Sequence, residues 1–156
     1  MSKRGIVGIG IYGSKWESNV GTLWRCARLY DADFIFTIGQ RYKKQATDTP
    51  DTAKHTPLFE YSDWNDFILH LPKDVEVVLV EQSAKSIKLP NFIHPIRAVY
   101  VLGAEDKGLP EDIISKHTTI EIPTVEPQSM NVSAAGTLVL YDRYVKQPTP
   151  KAEDKE

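Results

Sequence analysis

The sequence predicts one α/β domain: a single domain with a mostly parallel sheet flanked by helices. The chain has 156 residues, the size of one domain and long enough to bury a core without staples. Strand-like and helix-like segments alternate along it, the pattern of a parallel α/β sheet. The run from Val75 to Val80 is apolar with almost no polar interruption, as in a strand covered on both faces.

Taken in order, isoleucine-rich Gly5 to Tyr12 reads as a buried strand. Ser18 or Asn19 can cap a helix that continues to about Tyr30. Phe34 to Ile38 is a second strand, ended by Gly39. Polar Arg41 to Leu58 reads as a long functional loop. Asp63 can cap a short helix through Trp64, Phe67, Ile68 and Leu71. Val75 to Val80 is the third strand, and Ser83 to Ile96 is a connection holding two prolines. Arg97 to Leu102 is the fourth strand, and Pro110 fits the first turn of a short helix reaching Lys116. Thr118 to Ile122 is the fifth strand, stopped by Pro123, and Asn131 to about Tyr144 is the last helix. Residues 147–156, proline-rich and then charged, read as a solvated or disordered tail. That leaves 1–146 as the domain.

Net charge is −2, so a nucleic-acid partner would have to meet a local basic surface. Cys26 is the lone cysteine; an intramolecular disulfide is impossible and a reducing, cytoplasmic compartment is the simplest expectation. No apolar run approaches the length of a membrane span. The N-terminus is followed by glycine-interrupted β-like sequence rather than a signal-peptide core. His55, His70, His94 and His117 lie far apart, so no metal constellation is expected.

Three segments are candidate sites. Gly8-Ile-Gly10-Ile-Tyr-Gly13 matches the spacing of a dinucleotide fingerprint. However, Ile9, Ile11 and Tyr12 continue a strand, and the acids Asp31 and Asp33 precede the second strand instead of following it. Strand glycines that permit close backbone approach are the favoured reading, and a nicotinamide oxidoreductase is the weakest of the functional alternatives. Asn19-Val-Gly21-Thr-Leu-Trp-Arg25 places an asparagine at a helix mouth, where N–H groups attract anions. Arg25 could fork onto a phosphate, with Arg28 one turn beyond. Spacing alone favours a capped helix with solvated arginines. The third candidate is a pair of segments. Leu102 to Pro110 carries Gly103, Glu105 and Gly108 after a strand, at the end where α/β sheets bind ligands. Ile122 to Gly136 brings Ser129 and Asn131 to the start of the last helix. Each segment alone also fits a turn and a capped, tightly packed helix.

Together these pieces resemble the SpoU (TrmH-like) branch of the SPOUT RNA methyltransferases. The resemblance rests on Asn19-x-Gly21-x-x-x-Arg25-x-Ala27, then Val101-Leu-Gly103-x-Glu105-x-x-Gly108-Leu109, then Ile122-Pro123 followed by Ser129-Met-Asn131-Val-Ser133-x-Ala135. It covers nearly the whole chain to about Tyr144. It implies a C-terminal trefoil knot, whereas the bare pattern implies an unknotted sheet. It implies S-adenosylmethionine (S-adenosyl-L-methionine) as cofactor, held between the loops after Val80, Leu102 and Ile122, and no metal. It implies a homodimer with the site completed near the subunit interface, the first and last helices contributing.

Residue by residue, Arg25 matches the arginine implicated in activating a ribose 2′-hydroxyl, and Asn19 the asparagine beside it. Glu105, Ser129 and Asn131 match polar residues of the catalytic pocket. Backbone around Val80, Gly103, Ile122 and Met130 is expected to contact the cofactor. Ala104 and Met130 depart from the usual residues, the second by a volume-conserving change. Many members carry an extra N-terminal RNA-binding domain; here substrate capture is expected to fall to the catalytic domain or a partner.

The implied function is RNA (ribose-2′-O) methyltransferase, with tRNA favoured as substrate and rRNA the alternative. A noncatalytic RNA-binding or assembly protein on the same fold is the runner-up. Arg25 is either an unusual base, although a guanidinium gives up its proton very reluctantly, or a phosphate clamp, the role preferred on physical grounds. Arg41-Tyr-Lys43-Lys44 interleaves charge with an aromatic ring, which suits RNA contact and equally a solvated loop.

Overall fold

The computed structural model describes residues 5–13, 17–39, 55–104 and 108–146. Its strands are β1 (Ile6–Tyr12), β2 (Phe34–Ile38), β3 (Leu58–Tyr61), β4 (Glu76–Val80), β5 (Ile87–Lys88), β6 (Arg97–Gly103) and β7 (Thr118–Glu121). Its helices are α1 (Glu17–Leu29), α2 (Trp64–Leu69), α3 (Glu111–Ile114) and α4 (Val132–Lys146), and a 3-10 turn spans Leu89–Asn91. The strands form one sheet in the order β3-β2-β1-β6-β4-β7-β5, and every neighbouring pair is parallel.

Strand β6 is the centre of the sheet. It pairs with β1 from Ile6↔Arg97 to Tyr12↔Gly103, and with β4 from Glu76↔Ala98 to Val80↔Leu102. Its residues are buried on both faces. Ala98, Tyr100 and Leu102 join a core with Val20, Leu23 and Val139 from α1 and α4. Val99 and Val101 join the opposite core with Phe67, Ile113 and Ile114 from α2 and α3. Side chains alternate across a strand, so a strand sandwiched between helices must be apolar throughout. That is why β1, β2, β4 and β6 are legible in the sequence as largely apolar runs.

Strands β3 and β5 fall where the sequence reading placed the end of a loop and a connection. Both are sheet edges. Phe59 and Glu60 of β3 and both residues of β5 are exposed, so neither carries an apolar run; short, polar edge strands are the rule. The greater part of the expected 41–58 loop, and the tail expected from residue 147, lie outside the described residues.

The glycines of β1 settle one ambiguity. A Cβ at Gly8 would sit 2.4 Å from the Phe34 ring, and one at Gly10 would sit 2.2 Å from the Phe36 ring. They lie inside the strand and make room for aromatic neighbours, so they do not form a dinucleotide turn.

Helix ends follow local chemistry. The Asp63 carboxylate accepts from Asp66 N at 2.8 Å, and Asp66 accepts from Ser62 N at 2.8 Å, a reciprocal cap of the expected kind. Asn131 caps α4, its Oδ1 accepting from Ser133 N at 3.0 Å and Ala134 N at 3.1 Å. The expected cap of α1 is corrected: the helix begins at Glu17, so Ser18 and Asn19 lie inside its first turn.

At its far end α4 is anchored by a buried polar network. His94 Nε2 meets Asp142 Oδ2 at 2.7 Å, and His94 Nδ1 meets the Tyr100 hydroxyl at 2.6 Å. Burial holds the imidazole below its usual range, outweighing the pull of Asp142. The neutral ring therefore donates from Nε2 to the carboxylate and accepts the Tyr100 proton at Nδ1. Burial also pushes the Tyr100 phenol up to about 12. Arg143 donates to the Tyr100 hydroxyl at 3.1 Å and to the carbonyls of Pro95 and Ile96. Among the described residues no helix is long and apolar enough to cross a membrane, and no group of histidine, cysteine or carboxylates is placed to hold a metal ion.

Candidate active site

Strands β4, β6 and β7 run parallel and end side by side at Val80, Gly103 and Glu121. Carboxyl ends of parallel strands are where open α/β sheets bind ligands. A cavity of about 400 Å³ lies there, within the range of small-molecule sites, roughly 300–1,000 Å³. Val80, Leu102, Ile122 and Met130 supply apolar lining, while Gln82, Thr124, Gln128 and Ser129 supply polar groups. An apolar cavity with a few polar side chains can hold a flat heterocycle and orient the rest of its molecule.

The four backbone positions expected to face a cofactor, Val80, Gly103, Ile122 and Met130, all line this cavity, and so does Ser129. Asn19 and Asn131 do not line it. They meet beside it: Asn131 Nδ2 donates to Asn19 Oδ1 at 3.1 Å across 112 residues of sequence. Asn131 lies between Met130 and Val132, which both line the cavity, so this bond ties α1 to that wall. Asn19 is 8% exposed, and this partner explains why an asparagine is buried inside a helix.

Arg25 is placed differently. It is exposed on α1 and does not line the cavity of its own chain. Helical spacing separates it from Asn19, Leu23 and Ala27, the buried face of α1. Arg28 is half-buried in the last turn of α1. Glu105, Arg41, Lys43 and Lys44 lie outside the described residues.

Two glycines shape the wall formed after β6. A Cβ at Gly103 would come within 2.8 Å of the Gly108 carbonyl carbon and 2.9 Å of Leu109 N. Gly108 has φ +61° and donates from N to Ala104 O at 2.9 Å. The chain therefore folds back on itself here with no room for a side chain.

Sequence reasoning missed Glu81. Its Oε2 accepts from Leu109 N at 2.9 Å, and its Oε1 from Gln82 N at 3.2 Å. The available signal was a carboxylate placed directly after the apolar run Val77 to Val80. Glu111 and Glu121 also line the cavity, and among its described lining residues there is no lysine, arginine or histidine.

A model of the SpoU rRNA Methylase family matches residues 8–141. No curated protein matches the chain by sequence. Among solved structures, the A. aeolicus TrmH/SpoU tRNA modifying enzyme is similar with a TM-score of 0.81 and 18% identity, over 98% of this chain and 85% of that one. A protein solved in work on "the 2-OH methylation of C/U34 on tRNA" has a TM-score of 0.76 and 21% identity, over 92% and 97%. The methyltransferase AviRb from Streptomyces viridochromogenes, in complex with the cofactor AdoMet, has a TM-score of 0.76 and 14% identity, over 96% of this chain and 60% of that one.

Proposed function

The chain belongs to the SpoU rRNA Methylase family, and from that premise we propose that it is an S-adenosylmethionine-dependent RNA 2′-O-ribose methyltransferase acting on tRNA. The observation that carries this reading is the cavity at the ends of β4, β6 and β7, lined by Val80, Gly103, Ile122 and Met130. Its apolar floor suits an adenine ring. Its polar and acidic side chains suit a ribose and a positively charged tail. When bound, S-adenosylmethionine supplies an electrophilic methyl group.

The protein's own part is orientation and electrostatics. Ser129 and Asn131, beside the cavity, position the acceptor ribose, and Glu105 completes that pocket. Arg25, Arg28 and the basic loop of Arg41, Lys43 and Lys44 bind the RNA backbone. Arg25 holds a phosphate with a charge-assisted fork, leaving the hydroxyl proton to that phosphate or to water. Arg25 is exposed and does not line the cavity of its own chain; it serves the cavity of a second subunit. The homodimer forms through α1 and α4, which leave Leu29, Leu138, Tyr141, Tyr144 and Val145 exposed; such a patch suits a protein partner. The C-terminal part threads into a trefoil knot around the same loops.

The tRNA choice draws support from the relatives described for tRNA. It is tested by mapping ribose methylations in cells lacking the protein. A tRNA site is expected to disappear, whereas a lost rRNA site with intact tRNA would redirect the reading. Titration with S-adenosylmethionine and with NAD tests the cofactor, and binding of the first alone is expected. No binding of S-adenosylmethionine or of its demethylated product would sink this reading, leaving a noncatalytic RNA-binding role or, if NAD binds, an oxidoreductase.

Gly103→Ala gives a sharper check. The added methyl must displace backbone, and overpacking of this sort costs roughly 1–3 kcal/mol. That cost falls on folding; separately, because Gly103 lines the cavity, its displaced backbone is expected to weaken S-adenosylmethionine binding about tenfold by calorimetric titration, equivalent to ~1.4 kcal/mol. Unchanged affinity would place the cofactor elsewhere.

A further inference from the structure

Glu81 lines the cavity and bonds to β7, to its own loop and to the loop after β6, yet methyl transfer gives it no task. Its main-chain N donates to Ile120 O of β7 at 3.0 Å. Its main-chain O accepts from Ser86 Oγ at 2.7 Å, within its own loop. Its carboxylate accepts from Leu109 N on the loop after β6. The side chain occupies the space left by Gly108, where a Cβ would lie 2.5 Å from Oε2. A glutamate held at both ends cannot swing into solvent, so its charge is fixed at the cavity wall.

We propose that Glu81 is a specificity-determining residue that makes the cavity favour the cationic methyl donor over its neutral-sulfur product. This rests on the reading of the cavity as the S-adenosylmethionine site. The donor carries a sulfonium. On transfer, the bond from sulfur to the methyl carbon breaks, its electron pair stays on sulfur, and the acceptor oxygen forms the new bond while its proton leaves. The product, S-adenosylhomocysteine, is a neutral thioether with one positive charge fewer and otherwise nearly the same shape. A fixed negative charge distinguishes the two molecules where shape barely can. Glu111 and Glu121 add to the same field, and no described cation in the lining opposes it. The consequence for turnover is that the cavity's attraction weakens once the methyl has gone, which favours exchange of product for fresh donor.

Glu81→Gln tests this, because it keeps the volume and an acceptor for Leu109 N while removing the charge. Calorimetric titration of the full chain with each of the two molecules is the readout. The ratio of donor to product affinity is expected to fall roughly three- to tenfold, the scale of one partly screened charge, with product affinity nearly unchanged. Gly108→Ala, which presses on the same carboxylate without removing charge, is expected to weaken both ligands alike. Glu111→Gln and Glu121→Gln are expected to move the ratio in the same direction by less, and they carry the test if the Glu81 variant does not fold. Both ligands binding with a ratio that none of the three glutamine variants moves would overturn the proposal and leave Glu81 a structural brace. Wild-type protein that binds neither molecule would instead overturn the reading of the cavity on which the proposal stands.

Discussion

Replacing Arg25 with alanine is expected to slow single-turnover methylation of RNA by roughly 10²-fold or more, the cost of a misplaced nucleophile. Binding of S-adenosylmethionine should stay within about twofold, because Arg25 is assigned to the RNA phosphate and is absent from the cavity lining of its own chain. The clamp reading adds a second expectation. Arg25→Lys keeps a point charge but loses the planar fork, so RNA binding should weaken in both variants, more in alanine. If both bind RNA normally while losing all chemistry, the clamp fails and activation of the hydroxyl replaces it. The placement on α1 adds a third. Mixed dimers of Arg25→Ala and Gly103→Ala subunits are expected to recover about a quarter of wild-type activity under random two-fold pairing, since one site in each mixed dimer escapes both lesions. Recovery requires that arginine and cavity come from different chains. No recovery from mixtures that do form mixed dimers would return Arg25 to its own cavity.

Arg143→Ala is expected to lower stability by about 3 kcal/mol, the scale for breaking a buried charged network. The side chain is 6% exposed and donates to the carbonyls of Pro95 and Ile96 and to the Tyr100 hydroxyl. Without it, two carbonyls lose a buried donor, and a cavity opens beside Tyr100. At roughly 2–4 °C per kcal/mol for a chain of this size, the melting midpoint should fall by about 6–12 °C. Arg143→Lys should recover only part of the loss, since one ammonium cannot span three acceptors in the guanidinium's fixed geometry. A fall under about 2 °C in the alanine variant would mean that water enters and satisfies the carbonyls.

Sequence and structure agree where burial is two-sided. The runs at Ile6–Tyr12, Phe34–Ile38, Glu76–Val80 and Arg97–Gly103 are legible because both faces of each strand are covered by helices. Leu58–Tyr61 and Ile87–Lys88 are not, because an edge strand is held by main-chain bonds that any residue can make. The same division runs through the site. Val80, Gly103, Ile122 and Met130 were accessible through resemblance, and the cavity they line is a consequence of parallel strands ending together. The Asn19–Asn131 bond joins residues 112 apart, so no local pattern could reveal it. It also explains the misplaced helix start, since an asparagine that looks like a cap from its neighbours is used for a long-range contact. Glu81 escaped for a similar reason: its meaning lies in Leu109 and Gly108, brought to it by the sheet.

The pairing of β1 with β6 has a consequence for how the chain is made. Strand β1 is complete at Tyr12, and its partner only at Gly103. At roughly 5–20 residues per second of synthesis, β1 waits about 5–20 s for β6, with β2 as its only strand partner. During that interval Ile9 and Ile11, fully covered in the finished molecule, lie beside an unpaired strand edge. The nascent chain therefore carries an open sheet edge, the kind of surface prone to wrong pairing, before it is a domain. Its cavity, whose lining runs on to Ala135 of α4, is among the final parts to take shape.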